Sequence, residues 1–119
     1  MDRESFEKLV QEALDELPQE FQEKLENVAV VVEEWPTAEQ LNSLGIKSGT
    51  LFGLYHSVAK TKRGSYYSAL PDKITIFAGP ILNTSPNPEA VKERVKQVVR
   101  HEIAHHFGFS EAKIRETEN

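Results

Sequence analysis

Apolar residues Phe6, Leu9, Val10, Ala13, Leu14 and Leu17 recur at intervals of three and four, with Glu, Gln, Lys and Asp between them. That is the pattern of a helix buried along one side. Leu17-Pro18 interrupts it, because proline disfavours helical geometry in the residue before it and can itself open a new helix. A short second helix over about residues 18–26 then buries Phe21 and Leu25. Val28-Ala29-Val30-Val31-Val32 is too β-branched and too short for anything but a strand, and its unbroken apolar run predicts a central place in the sheet with both faces covered. Residues 33–49, which include Trp35-Pro36 and Gly45, sustain no period. They predict a long connection with one helical turn near 39–44.

Residues 51–58 alternate poorly but are rich in strand formers, and a turn is expected at 61–65 around Gly64. A third strand is expected over 73–78, entered from Leu70-Pro71-Asp72 and ended by Gly79-Pro80. The run Asn83-Thr84-Ser85-Pro86-Asn87-Pro88-Glu89 has loop chemistry that closes on a helix start. Asn87 is the N-cap, Pro88 the first helical position and Glu89 an acid in the first turn. The helix should run to about Phe107, where Gly108 can take the left-handed cap conformation. No repeat, heptad run or low-complexity segment interrupts this order. The fold class is α+β, with about three strands, helices N-terminal to them and a long helix near the C-terminus.

A length of 119 residues fits one domain spanning 1–119. The 39% hydrophobic and 28% charged residues have the balance of a globular protein. The longest apolar run, Val28 to Val32, falls far short of the roughly 20 residues that cross a bilayer, so no membrane partner is expected. The N-terminus is acidic and lacks the basic and apolar segments of an export signal, which makes a cytoplasmic location the expectation. With no cysteine there are no disulfides, thiolate metal sites or cysteine nucleophiles. Any metal must therefore be held by His, Asp or Glu. A net charge of −5 is the wrong sign for a protein that neutralises phosphates. No nucleic-acid partner is expected.

His101-Glu102-Ile103-Ala104-His105 is an H-E-x-x-H motif inside the one helix whose start and stop are both signalled. At about 100° per residue, His105 lies roughly 40° from His101 on the helical wheel. Val91, Val95, Val98 and Val99 form a buried stripe that Glu102, His105 and His106 are expected to continue. Burying such groups without partners costs roughly 2–7 kcal/mol each, and a divalent cation would satisfy them. Zn2+ suits neutral imidazoles, and a catalytic zinc takes three protein ligands with one position left for water. Gly108 follows His105 by three residues and Glu111 comes three later; a turn at the glycine brings the Glu111 carboxylate back toward the ion. His101, His105 and Glu111 are then the metal ligands and Glu102 the general base. The metal lowers the pKa of its water toward about 7 and polarises the scissile carbonyl, while Glu102 moves the proton to the leaving amine. Tyr55, Arg63, Tyr66 and Tyr67 are candidate donors to the developing oxyanion. His56 and His106 read as packed or supporting histidines.

The run from Val99 to Glu111, with Leu70-Pro71-Asp72-Lys73-Ile74-Thr75-Ile76-Phe77 and Phe52-Gly53-Leu54-Tyr55 before it, resembles the minimal-zincin family of small zincin-like metallopeptidases. The resemblance covers most of the chain from about Leu14 onward. It implies a short α+β zincin fold with a small sheet beside the active-site helix, and a single zinc held by the two motif histidines and the acidic residue after the glycine. Members of this kind often carry Asp at that last position, where this chain has Glu111. The metzincins, with His there, are a more distant likeness, and their Met-turn is absent because Met1 is the only methionine.

The expected function is a zinc-dependent metallopeptidase whose peptide or protein substrate lies along an exposed strand edge, offered by 73–78 or by 51–58. One alternative is a zinc-binding scaffold without turnover. The other is a metal-dependent ribonuclease resembling the bacterial rRNA-maturation factors, whose H-x-x-x-H-x-x-x-x-x-H spacing matches His101, His105 and position 111. The acidic residue at 111 and the negative chain oppose it.

Overall fold

The computed structural model describes residues 1–43, 51–56 and 71–107, apart from the side chains of Ser43 and His106. Helix α1 (Arg3–Asp15) starts where the Asp2 carboxylate accepts from the Ser5 N–H at 2.8 Å, and it buries Phe6, Val10 and Ala13. Its end is closed from outside: the Gln22 amide donates to the carbonyls of Asp15 at 3.0 Å and Leu17 at 2.8 Å. These bonds satisfy acceptors that a helix C-terminus leaves open. Helix α2 (Gln19–Leu25) follows with Phe21 buried. Strand β1 (Val28–Glu33) leads to helix α3 (Ala38–Ser43). Thr37 and Gln40 cap α3 reciprocally, the Thr37 hydroxyl accepting from the Gln40 N–H at 3.0 Å and the Gln40 side chain from the Thr37 N–H at 2.7 Å.

Strands β2 (Gly53–His56) and β3 (Asp72–Phe77) complete a three-stranded sheet in the order β1-β3-β2. β1 runs parallel to β3, Val28 opposite Asp72 and Glu33 opposite Phe77, and β2 runs antiparallel to it, Gly53 opposite Ile76 and His56 opposite Lys73. The central strand is therefore β3, not the valine run, which lies at an edge and is half-buried throughout. β-branching made β1 a strand, but its place was set by pairing. β3 is the strand buried on both faces, from Ile74 to Phe77.

β3 ends at Phe77, one residue short of the expected Ala78, and Gly79-Pro80 lies within helix α4 (Ala78–Thr84), which also takes in Asn83 and Thr84, expected as loop. Pro80 sits in the first turn, where its missing N–H costs no helical bond. The Gly79 N–H donates to the Glu34 carbonyl at 2.7 Å. Helix α5 (Pro88–Phe107) starts where predicted, and Phe107 is the last described residue. Asn87 caps it, its side chain accepting from the Ala90 N–H at 2.8 Å.

α5 packs on α1 and on β2. Val91, Val95, Val99 and Ile103 are buried with Phe6, Phe21, Ile74 and Ile76 in one cluster. Burial contributes roughly 1.5–3 kcal/mol for each such side chain. The stripe thus stays apolar into the last turns and does not become polar at Glu102 and His105. Steps of four residues drift about 40° each around a helix, so by Ile103 the stripe has turned about 160° from both His101 and His105. Burial therefore does not strand these histidines, contrary to the expectation from the helical wheel: both are exposed, and Glu102 is half-buried. Among the described residues, no helix is long and apolar enough to cross a membrane. The expected turn at 61–65, the strand residues beyond His56 and the Gly108 cap lie outside the described residues.

The contacts of α5 make two expectations measurable. A Cβ on Gly53 would stand 2.5 Å from Val98 Cγ1 and 3.2 Å from the Thr75 carbonyl oxygen. Gly53→Ala should therefore destabilise the fold by about 1–3 kcal/mol in denaturant titration, and Val98→Ala in the same chain should recover part of the loss. Glu16 bridges α1 to α5 by ion pairs of 2.9 Å to both Lys92 and Lys96. The two ammonium groups hold the Glu16 carboxyl below its usual 4.5, and Glu16 raises both lysines. A lowered carboxyl stabilises the fold above its unfolded-state value and stops doing so as pH falls through its folded one. Glu16→Gln should accordingly lower Tm at pH 7, with the difference fading below about pH 4.5 and in high salt.

Candidate metal centre and its cleft

The Asn87 cap and the buried valines set the rotation of α5, and that rotation turns His101 and His105 outward on adjacent turns. Their rings lie 4.5 Å apart between centroids and are tilted by 58°. The two Nε2 atoms approach to 3.1 Å. Two imidazole nitrogens on one tetrahedral ion at about 2.0–2.1 Å stand roughly 3.3 Å apart. The donor pair therefore has the chemistry and the spacing to share a zinc.

Glu102 points toward the sheet, and its Oε1 accepts from the Tyr55 N–H at 3.0 Å. The strand's pairing explains why that N–H is on offer. The Phe77 N–H donates to the Phe52 carbonyl at 3.0 Å. In an antiparallel pair every second residue turns its backbone groups to the partner, so Phe52, Leu54 and His56 face β3 while Gly53 and Tyr55 face outward. The rest of Tyr55 is fixed as well. Its hydroxyl donates to the Asp72 carboxylate at 2.9 Å, and burial together with that carboxylate pushes the phenol far above its usual range. It stays a protonated donor at any ordinary pH. The Tyr55 ring meets Phe107 edge-on at 6.4 Å, and the Lys24 ammonium lies 5.1 Å over the Phe107 ring. The last turn of α5 is thus tied to β2 and α2.

Between β2 and α5 lies a cleft of about 320 Å³ with Leu51, Phe52 and Gly53 on one wall and Arg94, Gln97, Val98, His101 and Glu102 on the other. His101 brings one of the two imidazoles to its wall. The Arg94 guanidinium stacks over the Phe52 ring at 4.7 Å and donates to the Gln97 side-chain oxygen at 3.0 Å.

Of the residues singled out in the sequence, the structure brings His101 and His105 together and sets Glu102 against β2. Glu111, Arg63, Tyr66, Tyr67 and the His106 side chain lie outside the described residues. Among the described residues, no three His, Cys, Asp or Glu side chains gather as a metal cage. Tyr55 contributes its backbone N–H, its hydroxyl being committed to Asp72. His56 is exposed at the end of β2. The sequence pattern singled out neither Arg94 nor Gln97, and Phe52 entered only through the family resemblance. For Arg94 a signal existed: it precedes His101 by seven residues, and two helical turns return it to nearly the same face.

No curated protein matches the chain. Among solved structures, a conserved hypothetical protein (TTHA0227) from Thermo thermophilus is similar to it, with a TM-score of 0.61 and 22% identity over 90% of this chain and 94% of that one. The likeness shows a shared fold. A family model described as zincin-like metallopeptidase matches residues 25–119, which take in the sheet, the cleft and the H-E-x-x-H helix. The chain belongs to the zincin-like metallopeptidase family.

Proposed function

We propose that the chain is a zinc-dependent peptidase, with His101, His105 and Glu111 as metal ligands and Glu102 as general base. The observation that carries this reading is the approach of the His101 and His105 Nε2 atoms to 3.1 Å on an exposed helix face beside an open cleft. Zinc held there would supply Lewis acidity, lowering the pKa of a water toward about 7 and polarising a carbonyl. The protein's own groups do the rest. The Tyr55 N–H holds one oxygen of Glu102, and a carboxylate has lone pairs to spare. Glu102 takes a proton from the attacking water as the new C–O bond forms, and gives it to the amine as the C–N bond breaks. The outward backbone groups of β2, apart from the Tyr55 N–H that Glu102 holds, offer an extended peptide a strand to pair with. Of the two edges considered from sequence, β3 is interior, which leaves β2.

The test is metal content and turnover together. The purified chain loaded with zinc should hold about one ion, lose it on His101→Ala, and cleave peptides from a mixed library. Glu102→Gln should keep the zinc and lower kcat by roughly 10²–10⁴-fold. Stoichiometric zinc with no cleavage would refute the catalytic half. Removing zinc with a chelator should leave the helical circular dichroism in place, because the core stripe of α5 excludes both histidines. Unfolding on chelation would favour a zinc-dependent scaffold instead.

A further inference from the structure

The stripe of α5 that carries His101 and His105 also carries Arg94. Counting about 100° and 1.5 Å per residue, Arg94 lies within about 20° of each histidine, toward the helix start by roughly 10 Å along the axis from His101 and roughly 16 Å from His105. Its described partners are neutral, a Gln97 oxygen and the Phe52 ring. A guanidinium has five donors in a planar fork that matches a carboxylate. Both partners hold the fork at the cleft wall, and stacking on Phe52 limits the entropy lost when a ligand binds. In a chain of net charge −5, a cation kept here is complementary to an anion entering the cleft.

We infer that Arg94 is a specificity-determining residue that selects peptides with a carboxylate about three residues to the C-terminal side of the cleaved bond. This rests on the peptidase reading. The spacing follows from the helix and the strand: measured from His101, the histidine nearer Arg94 and the one that lines the cleft, roughly 10 Å spans about three residues of extended chain at 3.3 Å each. The direction follows from β2, which runs alongside α5 with Phe52 at Arg94, Gly53 at Val98 and Tyr55 at Glu102. A peptide pairing antiparallel to β2, the commoner arrangement, points its C-terminal end at Arg94. The carboxylate comes from an acidic side chain or from the peptide's own C-terminus. Both present the same fork-matching pair of oxygens.

The experiment uses the zinc-loaded full chain and three peptides of one core sequence. The first has Glu at the third position after the cut and an amidated end. The second has Gln there and an amidated end. The third ends at that position with a free carboxylate. The first or third should be cleaved with kcat/KM about tenfold above the second, and which of the two wins identifies the source. Arg94→Glu should reverse the order, favouring the Gln peptide over the Glu peptide, which loss of structure alone cannot do. Equal rates for acidic and neutral peptides, or an acidic preference that survives Arg94→Glu, overturn the inference. If nothing is cleaved, the peptidase reading fails, and the subsite is tested by equilibrium binding of the same labelled peptides to the zinc-loaded Glu102→Gln protein. There the acidic peptide should bind about tenfold tighter than the neutral one, and equal affinities overturn the inference.

Discussion

The close approach of α5 to β2 is the constraint on which the rest of the site depends. Gly53 leaves room for Val98 against the strand, and Glu102 then reaches the outward Tyr55 N–H at 3.0 Å. A helix held farther off would leave Glu102 without that partner. The cleft would also widen and Arg94 would draw away from Phe52, because both walls are set by the same contact. A steric vacancy and a backbone donor position the acid that the motif supplies.

Much of this arrangement was legible in the sequence. Asn87-Pro88 marked the start of α5, because capping and proline geometry are local effects. The placing of the valine run was not legible. An edge strand and a central strand can carry the same residues, and only the register with Asp72–Phe77 decides between them. α4 was missed because Gly79-Pro80 is as compatible with a strand stop as with a first helical turn. The capping pair of Thr37 and Gln40 was readable as T-x-x-Q and would have put the start of α3 at Ala38.

The candidate site divides along the same line. His101, Glu102 and His105 are named by spacing within one helix, so the sequence could locate them. The partner of Glu102 is a backbone N–H, which has no residue signature; it depends on which groups of β2 face outward. Arg94 shares its face with the histidines, yet seven residues of separation hid it beside the valines that fill the core.

Exposure of the histidines changes the energetic account of the centre. If they were buried, an ion would be needed to offset their desolvation, and metal binding would be inseparable from folding. Here the stripe through Val95, Val99 and Ile103 closes without them. The helix fixes the backbones of His101 and His105 one turn apart, so a zinc would meet donors already converged to 3.1 Å. Little ordering of these two donors would be left to oppose binding beyond the rotation of their rings. On the proposed reading, metal affinity and fold stability would therefore be separable. The free energy of coordination would be left for holding the ion against a water and a substrate carbonyl, as a catalytic centre with an open position requires.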